Sequence, residues 1–274
     1  MSREAPVREV PSGAAPARRV PARAVPLRAV PFRAVVRSEC TKLWSVRSTW
    51  WCTVVYVLVV GAGGWLAAAG TDSALRADVA VQTALTPFGI GQLVLVVLGA
   101  LVVTTEFASG MAQVSLTVVP RRSRLLAAKT VVVLACCLVL SAVLAVSCAL
   151  AARVLTAVPG GVPPGDPAVL RTLGLQVGAA GLVGVLGVAL GAVLRSTAGA
   201  VGVGVVLVFI APPALALVGT DLASRVSQSL PALRVGEDAF LAVATSWQVG
   251  MAVVSAWAVG TWVLGAVLLE RRDV

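Results

Sequence analysis

The chain of 274 residues is 58% hydrophobic and only 12% charged, whereas a soluble domain is about 45–50% apolar and about 25% charged, so an ordinary soluble fold is excluded. Its formal charge of +10 does not point to nucleic acid, because 10 of the 22 Lys and Arg precede residue 50 and most of the others stand at the ends of apolar runs. Basic residues placed that way set membrane topology.

Residues 1–34 form a proline- and arginine-rich tail. From Val20 it runs VPARA VPLRA VPFRA VVRSE, with Pro21, Pro26 and Pro31 in register; proline removes backbone donors and disfavours helix, so the tail is predicted to be disordered. Arg23, Arg28, Arg33 and Arg37 either rest on anionic headgroups, at about 1 kcal/mol per basic residue, or belong to a solvated tail with no role beyond topology. Arg18-Arg19 and the small residues Ala67-Ala68-Ala69 loosely suggest an export signal. The charged region before the first apolar run is far longer than such a signal carries, which favours an anchored first helix over a cleaved peptide.

Residues 35–49, within VVRSECTKLWSVRSTWW, alternate basic and apolar side chains and run into tryptophans. The pattern predicts an amphipathic helix lying in the interface; a plain basic flank is the alternative.

Residues 50–270 hold six uncharged runs of about the 20 residues that cross a bilayer. They are Trp50–Ala69, Phe88–Thr105, Thr130–Ala152, Thr172–Leu194, Ser196–Val218 and Gln248–Leu269. One helix from Thr172 to Val218 would be about 70 Å long, more than twice the hydrocarbon thickness. The chain is therefore expected to reverse at Arg195, Ser196 and Thr197. With the N-terminus inside, 17 Lys and Arg fall on the inner side and five on the outer; without residues 1–34 the ratio is still 10 to 5. Both termini are therefore expected on the cytoplasmic side of the membrane.

Cys40, Cys52, Cys136, Cys137 and Cys148 lack the spacing of a zinc site or a disulfide framework. There is no histidine, and no pair of carboxylates falls inside a run, so neither metal ligation nor acid–base catalysis is expected. The two lysines, Lys42 and Lys129, follow no phosphate-binding loop. Gly174 and Gly178, Gly187 and Gly191, and Ala252, Ala256 and Gly260 repeat every four residues, a spacing that serves close helix approach within one chain or between two. Pro212-Pro213 is expected to break the fifth run. Gln92, Ser141, Gln176 and Ser255 read as helix-to-helix hydrogen bonds rather than ligand contacts.

Between the second and third runs lies TTEFASGMAQVSLTVVPRRSR, Thr104 to Arg124. Glu106 ends the apolar run, Phe107 follows it, Gly110 and Pro120 punctuate the loop, and Arg121, Arg122 and Arg124 crowd its far end. This is a polar loop built to touch a partner.

From Val36 to Val274 the chain resembles the membrane permease subunits of ATP-binding-cassette (ABC) exporters of the type-2 class. The resemblance rests on VRSECTKLWSVRSTWW, on TTEFASGMAQVSLTVVPRRSRLLAAK, on LRSTAGA at Leu194 to Ala200 and on the ending VLLERRD; Met111 and Gln113 stand where the family usually has threonine and a basic residue. It implies an all-α, six-helix domain that pairs with a second permease copy, as homodimer or heterodimer, and with cytoplasmic ABC ATPase subunits that bind ATP and Mg, leaving this chain no cofactor and no catalytic role. It further implies that Glu106 to Arg124 sits against the ATPase, that Arg195, Ser196 and Thr197 form a second cytoplasmic contact, and that Asp221 to Trp247 includes a short helix at the outer interface. Uncharged runs favour a hydrophobic or amphipathic substrate over a small ion. The alternatives are a non-transporting anchor or regulatory subunit and a secondary transporter or channel; few of the latter lack charge at membrane depth.

Overall fold

The computed structural model describes residues 31–71, 77–110, 122–156, 165–231 and 247–271, and among them the regular secondary structure is entirely helical. Nearly all of the proline-rich tail, together with Met111, Gln113, Pro120 and Arg121, lies outside the described residues. The helices are α1 (Phe32–Ser45), α2 (Arg47–Ala69), α3 (Ala77–Leu85), α4 (Phe88–Ala108), α5 (Arg122–Leu155), α6 (Pro167–Leu194), α7 (residues 197–218), α8 (Asp221–Gln228) and α9 (Trp247–Arg271). Six helices are long and apolar enough to cross a membrane, one for each run read from the sequence.

Their bounds differ from the hydropathy runs where helix propensity outlasts apolarity. α4 continues through Thr105 to Ala108, so Glu106 and Phe107 occupy its last turn. α5 begins at Arg122, eight residues before Thr130, because RSRLLAAK is rich in helix formers and Leu125, Leu126 and Ala128 are buried. Its 34 residues make about 51 Å of helix, longer than a hydrocarbon core of about 30 Å, so its ends stand outside the apolar slab.

α6 is the axis of the bundle. Seventy-two per cent of its apolar window is buried, against 22% for the first, fifth and sixth spans, and it packs on α4, α5, α7 and α9. It approaches α4 backbone to backbone: a Cβ on Gly187 would meet the Val96 carbonyl, and one on Gly191 would lie 3.0 Å from Ala100 O. The Gly187/Gly191 spacing thus serves packing within the chain. By contrast Ala252, Ala256 and Gly260 of α9 are exposed.

α6 ends where the reversal was expected. Arg195 adopts a left-handed conformation (φ 52°, ψ 14°) and its N–H donates to Gly191 O at 3.0 Å, while Ser196 caps α7 by accepting from Gly199 N at 3.3 Å. Instead of breaking at Pro212-Pro213, α7 runs through them. A π-helical turn at Val206–Ile210 precedes the pair, and this wider turn absorbs the lost donors. The Pro212 carbonyl accepts from Ser227 Oγ of α8 at 2.9 Å, which folds α8 back against the end of α7.

A second π-helical turn, Val57–Ala62, interrupts α2. It faces α5, where Cys148 Sγ donates to Val60 O at 3.6 Å. Immediately before that turn, the Tyr56 hydroxyl shares a 2.8 Å hydrogen bond with Ser141 Oγ. Ser141 is therefore a helix-to-helix contact, as the sequence suggested.

Candidate functional site

The ion pairs of the described residues gather at one end of the bundle, where α1, the end of α4, the start of α5, the α6–α7 turn and the end of α9 meet.

α1 is amphipathic, and its inward face is Val35, Glu39 and Leu43, one residue per turn. Val35 packs with Leu125 and Ala128 of α5. That packing points Glu39 into the bundle. Arg33 and Arg37 remain exposed on the other side. A single extended residue, Val46 (φ −88°, ψ 125°), separates α1 from α2. Across it Trp50 Nε1 donates to Trp44 O at 3.0 Å, and the two indoles meet edge to face at 5.4 Å.

Glu39 meets both lysines of the chain and Glu106. Lys42 Nζ lies 2.8 Å from Glu39 Oε1 and 3.0 Å from Glu106 Oε1. Lys129 Nζ lies 2.6 Å from Glu39 Oε2 and 2.8 Å from Glu106 Oε1, and it also donates to Val102 O at 3.4 Å. The four formal charges cancel. Only Lys42 is substantially exposed, at 33%; Glu39, Lys129 and Glu106 are at 4%, 5% and 12%. Partial burial draws the Lys42 pKa down, but the hydrogen bonds and charges of Glu39 and Glu106 outweigh it, holding the ammonium above its ordinary 10.5. A closed network of this kind satisfies charges that would each be costly alone.

Phe107, next to Glu106, faces the reversal between α6 and α7. The Arg195 guanidinium stands 5.3 Å from the centre of its ring, a cation–π distance. One turn earlier, Thr104 Oγ1 accepts from Thr197 Oγ1 at 2.8 Å. The two contacts expected separately from the sequence, the loop after the second span and the turn at Arg195, Ser196 and Thr197, therefore adjoin each other; Ser196 is spent on capping α7. Gly110, with φ of 71°, leaves α4 in the left-handed region where glycine is favoured. On the far side of the loop, Arg122 Nη1 donates to Leu269 O at 2.9 Å, a guanidinium at the carbonyl end of α9. Arg124 lies half-buried on the same first turn of α5.

Sequence reasoning found Glu106 but not its partners. Lys129 counted only as a topology charge, and Glu39 as part of an interfacial helix. Two signals were available: Lys42 and Lys129 are the only lysines, and Glu39 is the sole acid between Glu9 and Asp72, on the same helical face as Val35 and Leu43.

Residues 35–211 match the ABC-2 family transporter protein family. No curated protein matches the chain. The match covers well over half of the sequence and includes most of α1, the charge quartet and the α6–α7 turn, and the six apolar helices agree with it. The chain belongs to the ABC-2 transporter family: it is a multi-pass membrane permease component of an ABC transporter, and membership implies association with an ABC ATPase subunit.

Proposed function

We propose that this permease is the transmembrane half of an exporter whose ATPase docks at the end of the bundle that carries the charge quartet. One observation carries the reading: five element ends are cross-tied there by charged and polar side chains, through Glu39, Lys42 and Lys129 to Glu106, Arg195 to Phe107, and Arg122 to Leu269. A partner pushing on residues 110–124 would load all of them together. In this reading the end is cytoplasmic and both termini lie on that side of a bacterial inner membrane, an orientation that the bias of Lys and Arg toward one side of the spans supports.

Residues Glu106, Phe107, Gly110, Pro120, Arg121, Arg122 and Arg124 bracket the main coupling segment, and Arg195, Ser196 and Thr197 stand beside it as the smaller contact. ATP and Mg belong to the partner, which closes on nucleotide and resets on hydrolysis. The exposed apolar flanks of the first, fifth and sixth spans, with Leu58, Phe209, Ile210 and Val263 among them, meet lipid and a second permease copy. The path between the copies opens alternately to each side. Walls that are apolar along their length suit a hydrophobic or amphipathic substrate.

The test is co-expression with soluble ABC ATPases from the same genome, followed by purification and an ATPase assay. One of them is expected to co-purify with the permease, with vanadate-sensitive hydrolysis absent from the permease alone. Hydrolysis by the isolated permease, or failure to bind any of these ATPases while the six helices insert normally, overturns the reading.

A further inference from the structure

Glu39, Lys42, Glu106 and Lys129 join three elements that play different parts. α4 and α5 bracket residues 111–121, so they meet any force applied to that segment first. α1 is not next to the segment in sequence. It leads into the first span through one residue, and the Trp44–Trp50 contact braces that joint. The first span is sparsely packed, with 22% of its window buried, so the anchoring of α1 bears strongly on where it sits.

The four bonds are not equivalent. Glu39 engages the lysines through separate oxygens, Oε1 toward Lys42 and Oε2 toward Lys129, whereas both bonds described for Glu106 converge on its Oε1. If Glu106 withdraws, each lysine keeps its own oxygen of Glu39, and α1 stays on α5 through the packing of Val35 with Leu125 and Ala128. If Glu39 withdraws, both the polar and the apolar seams between α1 and α5 part together. The easy opening is therefore between α4 and the α1–α5 pair. It begins beside Lys42, the most exposed member.

We propose that Glu39 and Lys42 are positioning residues of the transport cycle: the quartet is a latch that opens at Glu106 when the partner displaces residues 111–121, freeing α1 and the first span to follow α5 rather than α4. The proposal rests on the permease reading above. Charge suits a latch better than a fixed joint, because well-packed apolar residues at buried ion pairs are often as stable or more so, while ion pairs near water exchange partners readily.

The test uses the full chain in complex with its ATPase, in a background free of native cysteines, with spin labels on exposed Thr41 and Ser109 and half-buried Ser123. Thr41→Cys with Ser109→Cys reports α1 against α4; Thr41→Cys with Ser123→Cys reports α1 against α5. Trapping with ATP and vanadate is expected to shift the first distance distribution and leave the second in place. In parallel, Glu39→Gln is expected to reduce permease-dependent stimulation of ATP hydrolysis about fivefold or more, the low end of coupling between linked sites, at unchanged co-purification, with Lys42→Arg retaining it. Should Glu39→Gln fail to fold, Lys42→Met, at the half-exposed position, takes its place. Unchanged distances, both distances shifting together, or full stimulation in the Glu39→Gln or Lys42→Met complex overturns the latch. A wild-type chain that binds no ABC ATPase overturns the permease reading first, and the latch with it.

Discussion

Lys129 Nζ lies 2.6 Å from Glu39 Oε2, with 5% and 4% of the two side chains exposed: a near-buried ion pair between the second turn of α5 and a helix some 90 residues earlier in the chain. Removing one member leaves the other charged and desolvated, so Lys129→Ala is expected to destabilise the fold by about 3–5 kcal/mol. Replacing the whole quartet by apolar residues of similar volume, Glu39→Leu, Lys42→Met, Glu106→Leu and Lys129→Met, is expected to restore most of that loss. Thermal unfolding of the detergent-purified chain measures both. A Lys129→Ala protein as stable as wild type, or a fourfold variant worse than the single one, contradicts the arrangement.

The crossing of α4 and α6 invites a second measurement. A Cβ on Gly187 would run into the Val96 backbone, whereas Gly174 has no neighbour within 4 Å of where its Cβ would be. Gly187→Ala is expected to force the helices apart at a cost of about 1–3 kcal/mol, as overpacked cores do. Gly174→Ala is expected to be neutral or slightly stabilising, since alanine is the better helix former by about 1 kcal/mol. Equal effects at the two positions, read from thermal denaturation, would show that backbone approach does not hold this pair together.

The sequence made the spans legible because the bilayer imposes one requirement on each, about 20 residues without charge. The reversal at Arg195 was legible for the same reason: the helix would otherwise have been too long. Hydropathy marks where charge stops, however, and not where a helix stops. It therefore ended the second span before Glu106 and started the third after Lys129, placing both residues in a loop. In the structure the two sit on helices and meet each other. The same blindness hid Glu39, whose partners come from distant stretches of chain and leave no local period. Pro212-Pro213 misled in the opposite direction, since a π-helical turn upstream let α7 continue.

The loop residues picked out by sequence divide into two kinds, and this yields the last prediction. Glu106 is held by Lys42 and Lys129 at 3.0 and 2.8 Å, so Glu106→Lys would set three ammonium groups around the single carboxylate of Glu39. That variant is expected to lose about 3–5 kcal/mol of stability whether or not an ATPase is present, and any loss of assembly it shows follows from the damaged fold. Arg122 plays a different part: among its contacts, Nη1 donates to the Leu269 carbonyl at the end of α9, a cation at a helix C-terminus. Arg122→Gln keeps an amide that can donate to that carbonyl and is expected to melt close to wild type, while ATPase co-purification falls if, as proposed above, residues 110–124 carry the docking contact. Melting curves and pull-downs on the two variants separate these roles. If Arg122→Gln binds the ATPase as wild type does, or if Glu106→Lys melts unchanged, the division between a docking rim and an internal tie is wrong.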